Sequence, residues 1–430
     1  MHRTTRTTAV LLFVAWAVDY LDRQVVNLAL PAIGETFGLT HGERGLVLSA
    51  FFVAYALTQI PGGLLAGRFG GVRMICLALV LWSLFTGLTA LAWSFTALVV
   101  LRFLFGVAQG LFPAAAIDTL SRRSLPSQRL TANGWIQSSN AVGGLLAAVL
   151  GGLLLARWDW RAMFVAVSGL GLLVVVAIRR WLPAPLPEEE TGPPLKPGKG
   201  AAAALLKSPA VLGFAVLFFA YDVVVWGLGS WSASYLTEEL GLPMARVGLV
   251  AVAPTVLAAV AAVVGGRLSD RFEGRPRRIV VPAMSVAAVL IALLPFTGTV
   301  GFVVVATLIS GAVGLCYMPC FSVPLRSLPP ALTGTASGIV LFGGQLAGIV
   351  VPVLFGHMVD AFSYRAAFWS LILGPVLAVA VVLRVPQTSA SFLAGLRNAV
   401  TSIGTPTAVP AAAPTDKEDD TDASAAPRPS

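Results

Sequence analysis

Gly63-Leu-Leu-Ala-Gly-Arg68-Phe-Gly-Gly-Val-Arg73 and, 203 residues later, Gly266-Arg-Leu-Ser-Asp270-Arg271-Phe-Glu-Gly-Arg275 are two versions of one short loop. A second pair of markers, Trp158-Asp-Trp-Arg161-Ala-Met-Phe164 and Phe362-Ser-Tyr-Arg365-Ala-Ala-Phe368, is separated by 204 residues. Offsets that agree to within one residue predict a chain built twice over.

Each copy is set among long apolar runs. Residues of the AVILMFWYC set make up 57% of the 430 positions and charged residues only 11%, with a mean hydropathy of +0.84. Soluble domains carry about a quarter charged residues, so lipid is the solvent for most of this chain. A membrane-crossing helix takes about 20 residues. The apolar runs lie near 9–30, 46–66, 74–93, 97–118, 133–155 and 162–182, then 210–235, 247–266, 279–298, 301–322, 334–356 and 366–385. The expectation is an all-α integral membrane protein with twelve transmembrane helices in two parallel six-helix repeats. Six is even, so both copies run in the same direction, and parallel repeats of this kind hold a binding site at the bilayer midplane between them. The expected organisation is a bundle over 1–182, a polar linker over 183–209 carrying Glu188, Glu189 and Glu190, a second bundle over 210–385, and a tail over 386–430. The tail's composition predicts disorder apart from a short interfacial helix near Phe392 to Val400.

Of the 29 Lys and Arg residues, 22 fall in loops on the side of the termini, and only Arg44, Arg157, Arg161, Arg246 and Arg365 fall in loops on the other. Positive loops stay in the cytoplasm, which puts both termini inside and predicts a bacterial cytoplasmic (inner) membrane protein. The net charge of +9 is thereby accounted for without nucleic acid. Asp19, Asp22 and Arg23 interrupt the first apolar run, so no cleavable signal is expected. Cys76, Cys316 and Cys320 sit inside predicted spans, where disulfides and a metal site are not expected. No cofactor is expected, and no nucleophile, nucleotide fingerprint or metal cluster points to an enzyme. His2, His41 and His357 fall in termini or outer loops, with no placement that would carry protons through the spans.

A charge inside a span costs about 2.5 to 3.5 kcal/mol on insertion scales and faces a cavity or a partner. Five residues meet that description: Asp19, Asp22, Arg23, Arg102 and Asp222. Asp19, Asp22 and Arg23 stand at i, i+3 and i+4 on one side of the first span. Two carboxylates beside one guanidinium in a low-dielectric site do not both ionise readily, which is a proton-coupling device in outline. A salt bridge that only holds the span to its neighbours is the alternative. Arg102 presents a planar fork suited to carboxylate or phosphate, unless it pairs with Asp22 or Asp222. Gln59, Gln109, Gln137, Asn140, Tyr221, Tyr317 and Gln345 are further cavity candidates, although polar residues in spans often serve only to join helices. Asp118, near a helix end, suits capping.

These stretches carry a family resemblance. The duplicated loop resembles the G-x-L-a-D-R-x-G-r-R signature of the major facilitator superfamily. Tyr20-Leu-Asp22-Arg23, Tyr55-Ala-Leu-Thr-Gln59-Ile-Pro61-Gly-Gly and Arg102-Phe-Leu-Phe-Gly106-Val-Ala-Gln109-Gly-Leu-Phe-Pro113-Ala are most similar to its anion:cation symporters, with Trp231 and Tyr235-Leu236 as a weaker match. The resemblance implies that Arg23, Tyr55 and Arg102 bind an organic or sugar acid in a central cavity. It also implies a cytoplasmic latch, to which Arg68, Arg73, Asp270 and Arg271 correspond. Three departures stand out. Gln109 occupies the place of a proton-coupling glutamate, Gly67 that of the first loop's aspartate, and Leu341 and Gln345 the region of an asparagine in the eleventh span. The expected activity is import of a small organic anion with protons, or sodium in their place, by a monomer, with coupling carried by Asp19 and Asp22 and then Asp222. A proton-driven exporter or antiporter of drugs or organophosphates is the alternative.

Overall fold

The structure is a computed structural model and describes residues 2–187, 201–328 and 330–402. Among them the chain is helical throughout, with no strand. Ten helices are long and apolar enough to cross a membrane: Gly71–Thr89, Phe95–Ser121, Thr131–Arg157, Trp160–Trp181, Pro209–Glu238, Arg246–Arg271, Arg277–Phe296, Thr299–Ser327, Leu332–Ala361 and Tyr364–Val382. They are spans 3 to 12 below. Span 2, His41–Phe69, makes an eleventh, bent by 50° where Pro61 interrupts it, as proline in a helix interior requires. Helix Arg3–Phe37, span 1, has 35 residues and the length to cross. Asp19, Asp22 and Arg23 in its middle make it less apolar than the other spans.

Local chemistry sets the helix ends. Gly38 terminates span 1 in the left-handed conformation, φ 63°, which costs glycine least. Thr40 then opens span 2 with a reciprocal capping box to Glu43. The second pair of sequence markers performs one job twice: Asp159 accepts from the Ala162 amide to start span 6, and Ser363, 204 residues on, accepts from Ala366 to start span 12.

Large apolar side chains such as Leu173, Val176, Val260, Val263 and Val304 are more than half exposed. That surface suits lipid, and the buried faces are lined with small residues that let backbones approach. The first six spans and the last six touch at the end away from the termini. There a Cβ on Gly45 would lie 2.4 Å from the Pro352 carbonyl oxygen, and one on Gly248 would lie 2.5 Å from the Gly152 Cα. Towards the termini, hydrogen bonds such as Thr5 to Arg123 and Ser322 to Gly274 stay within one set. The cleft between the sets is closed at the far end.

Part of the linker reading falls at 188–200 and most of the tail reading at 403–430, outside the described residues. Ala201–Lys207 is a short helix within the expected linker. The helix expected in the tail is Ser389–Ser402, and it is docked: Phe392 and Leu396 are buried, with the Phe392 ring 6.2 Å from that of Phe214 at the start of span 7. An aromatic and a leucine one turn apart form a packing stripe, and here it meets protein in place of an interface.

Candidate functional site

Span 1 places its three charges where the first six spans converge. The Arg23 guanidinium is 3.2 Å from Asp19 and donates to Gln109 Oε1 at 3.3 Å. It lies over the rings of Tyr55 (4.6 Å), Phe51 (5.0 Å) and Tyr20 (5.9 Å), a cation–π setting that steadies the fork without consuming its donors. Asp22, one turn from Asp19, accepts from the Thr86 hydroxyl at 2.7 Å. Arg102, 1% exposed, donates to Thr89 at 2.9 Å and stacks on Phe105 and Phe164. Asp22 is the acidic side chain near it. Arg102 makes no ion pair with Asp222 among the described residues.

Both arginines face one small, largely enclosed cavity, together with Asn27, Leu48 and Phe52 from the first six spans and Trp226 from span 7. The unused hydrogen-bonding atoms define what this place offers. Nε of Arg23, Nε of Arg102 and the indole nitrogen of Trp226 are buried donors without a partner, and one oxygen each of Asp19 and Asp22 is a buried acceptor without one. Buried polar groups are ordinarily satisfied, and the three donors on the cavity, from Arg23, Arg102 and Trp226, have room there for an acceptor, while the free oxygens of Asp19 and Asp22 lie outside its lining. Phe52 closes the cavity against Trp226, ring centroids 4.5 Å apart.

Gln109 is 0% exposed, and both ends of its amide are engaged: Oε1 accepts from Arg23 and Nε2 donates to the Asp19 carbonyl at 3.1 Å. It contacts the Arg23 guanidinium through its oxygen, and one of its two Nε2 hydrogens has no partner among the described residues. Asp222 stands apart in the last six spans. It is 7% exposed and without a hydrogen bond or ion pair among the described residues. It is packed on Gly344, whose Cβ would fall 2.0 Å from its Oδ2. Tyr20, Tyr221 and Tyr317 lie near it, and Tyr221 and Tyr317 belong to an aromatic cluster with Phe218 and Phe321. Asn140 and Gln345 each keep a buried amide oxygen without a partner. Gln59, partly buried, makes no hydrogen bond among the described residues, and Gln137 is exposed.

The residues of the expected latch are exposed, at the end of the molecule where the termini lie. Asp270 pairs with Arg326, within the last six spans. Arg68 lies over its neighbour Phe69. In the first copy Gly67 leaves no carboxylate, and Arg122, 204 residues before Arg326, turns to Asp118 on its own helix at 3.0 Å. Asp118 also accepts from the Gly71 amide at 3.2 Å and so caps span 3.

Sequence reasoning missed Thr86, Thr89, Asn27, Phe52 and Trp226. The two threonines one turn apart on span 3 were the available signal. It also missed His41, whose place at a loop end gives no local sign of its partners. His41 opens span 2 and joins Glu238 and Asp360 across the closed end of the cleft.

A family model described as Major Facilitator Superfamily matches residues 12–352 and again 236–412. The chain is 28% identical over 368 residues to a hexuronate transporter of Bacillus subtilis (81% of this chain, 86% of that one). It is 29% identical over 388 residues to a "probable sulfoacetate transporter" of Cupriavidus necator (84% and 89%). It is also 27% identical over 401 residues to a "probable galactarate/D-glucarate transporter" of Escherichia coli K12 (83% and 89%). The fold is similar to that of a bacterial homolog of the human lysosomal transporter Spinster, with a TM-score of 0.71 at 20% identity over 93% of this chain and 98% of that one.

Proposed function

The chain belongs to the major facilitator superfamily, and from that premise we propose that it imports a small organic anion together with protons by alternating access. The observation that carries the reading is the pair of buried arginines on one cavity, each with an unpartnered Nε. A guanidinium whose Nε is free still has an edge to offer a carboxylate or sulfonate. Relatives named for hexuronate, sulfoacetate and galactarate or glucarate support a substrate with such a group.

In this reading Arg23 and Arg102 bind the anion, Tyr55 and Gln109 orient Arg23, and Trp226 contributes a donor from the other half. Asn140, Gln345, Tyr317 and Gln59 face the rest of the substrate. The free oxygens of Asp19 and Asp22 take up the proton that offsets the incoming charge, and Asp222 is the second proton site. The latch at the termini end is completed by Arg68, Arg73, Asp270 and Arg271 when the cleft closes there. The protein works as a monomer in the inner membrane with both termini in the cytoplasm, as the distribution of Lys and Arg supports.

The test is thermal unfolding of the detergent-solubilised protein with hexuronates, aldarates, short sulfonates, organophosphates and cationic drugs, beside Arg102→Ala. A ligand that binds only the folded form raises its melting temperature by mass action. The expected result is stabilisation by one carboxylate or sulfonate class, absent in Arg102→Ala, with proteoliposome uptake of that anion driven by an inward proton gradient. Stabilisation by cationic drugs or organophosphates, with efflux against that gradient, would replace this reading with the exporter that Gln109 keeps in view.

A further inference from the structure

The closed end of the cleft is held by a cluster that the central site does not use. His41 Nδ1 lies 2.7 Å from Asp360 Oδ1, and its Nε2 lies 2.8 Å from Glu238 Oε2. Asp360 is at the end of span 11 and Glu238 at the end of span 7, so one imidazole joins the first six spans to two helices of the last six. Both carboxyl groups are already acceptors. Asp360 takes the backbone amides of His41 and Gly42 at 3.0 and 2.7 Å, one on each oxygen. Glu238 takes Arg44 on one oxygen and the Tyr364 hydroxyl, at 2.7 Å, on the other. Acceptors on both sides leave His41 as donor at both nitrogens, and only an imidazolium has two N–H groups.

We propose that His41 is a proton-operated bolt on this end of the cleft: protonated, it locks the two halves shut across Glu238 and Asp360, and on losing its proton it releases them. The neutral ring donates at one nitrogen only, leaving a lone pair facing a carboxylate on the other side. The charge balance agrees. His41 and Arg44 supply two positive charges to the two carboxylates, and deprotonation leaves an excess negative charge between helices that must stay in contact. The other groups near the ring do not offset it. On span 2, Glu43 is turned to Thr40. On span 7, Glu239 is exposed and of the wrong sign. On span 11, the His357 ring lies against Gly42. On span 12, Arg365 is stacked over Phe296 at 4.8 Å, and Tyr364 is the hydrogen-bond donor to Glu238. From span 1, Glu35 is exposed.

The side chains of His41, Glu238 and Asp360 are each between 24% and 30% exposed, so the bolt exchanges its proton with the compartment at its own end of the molecule and not with the central cavity. Histidine is the side chain whose ordinary titration spans pH 5 to 8, and a bistable interface is what such a switch biases. Acid in that compartment favours the closed end. The proposal rests on the two-state behaviour of the family and on no particular substrate.

The experiment measures the distance between spin labels at Trp158→Cys and Phe362→Cys, exposed sites on loops of the two halves at this end. Full-length protein in nanodiscs is used without substrate, with the three native cysteines replaced by alanine. The native bolt is expected to give a short distance at pH 5 and a growing long-distance population up to pH 8, changing by up to ~10-fold per pH unit for one proton. His41→Gln is expected to show the long distance throughout. The chain has three histidines, so the nitrogen resonances of ring-labelled, otherwise native protein report His41 directly, and an imidazolium is expected at pH 5. A pH-independent distance in the bolt-intact protein, an unchanged pH response in His41→Gln, or a neutral His41 ring at pH 5 in the closed protein overturns the proposal. Failure of anion uptake with this response intact would strike the central site's reading and leave the bolt standing.

Discussion

Gln109 of span 4 and Arg23 of span 1 are joined so that one amide holds two points of span 1: its oxygen takes the Arg23 Nη2 at 3.3 Å while its nitrogen reaches the Asp19 carbonyl at 3.1 Å. A glutamate at this place would offer Arg23 a charge. The glutamine offers a fixed position. Gln109→Leu leaves a buried guanidinium N–H and a buried carbonyl without partners, each costing about 1–3 kcal/mol. The melting temperature should fall, and anion uptake should fall further than stability alone explains, because Arg23 is then held by its Asp19 ion pair without the second contact that fixes its direction. A variant that melts lower yet takes up the anion at the native rate would show that Gln109 does not position Arg23.

Gly344 is glycine because Asp222 is there. A methyl at Gly344 would sit 2.0 Å from Asp222 Oδ2 and 2.7 Å from the Phe218 ring, so both side chains would have to shift to admit it. Gly344→Ala is expected to cost about 1–3 kcal/mol as overpacking. In the double variant with Asp222→Ala the worst contact is gone, so the two effects should fall short of their sum by more than the ~0.5 kcal/mol expected of independent sites. Strict additivity in thermal or denaturant unfolding would mean that the carboxylate does not press on this backbone.

Much of the arrangement was legible in the sequence because it rests on period and solvent. The apolar runs are long, and the markers 204 residues apart turn out to be helix caps at Asp159 and Ser363. The charges of span 1 and Arg102 were legible because a charge in a span has few other uses. Thr86 and Thr89 were not, since hydroxyls are common in spans and only the packing of span 3 against spans 1 and 4 gives them Asp22 and Arg102. His41 was not, because its partners lie 197 and 319 residues away and neither local pattern nor composition links them. The docked helix Ser389–Ser402 was legible as a helix and not as a contact, for the same reason.

The two copies of the loop differ by one carboxylate, and the difference is testable. Asp270 engages Arg326, whereas Gly67, the corresponding position, has open space where a side chain would go, and Arg122 falls back on Asp118. Gly67→Asp should therefore be accommodated, gaining a few tenths of a kcal/mol of helix propensity, and should draw Arg122 towards it. Arg122→Ala removes an exposed pair of about 0–1 kcal/mol from the native protein. It should cost more in the Gly67→Asp background. Equal cost in both backgrounds would show that the second copy's Asp270 and Arg326 pairing does not transfer to the first.

A close backbone crossing between the halves, formed by spans 5 and 8, lies at the His41 cluster's end of the cleft. Gly248 would place a Cβ 2.4 Å from the Ala148 carbonyl oxygen and 2.5 Å from the Gly152 Cα, and backbone atoms cannot rotate away as a side chain does. Gly248→Val must either be strained in the closed form or separate spans 5 and 8, so it should shift the population towards the form open at this end. If it withdraws about 1.4 kcal/mol from closing, the open fraction rises about tenfold. Asn27 lines the cavity, so Asn27→Cys should react with a membrane-impermeant maleimide added to whole cells about tenfold faster in the Gly248→Val background. The same labelling rate in both backgrounds, with the variant folded and inserted, would show that this crossing does not hold the cleft shut.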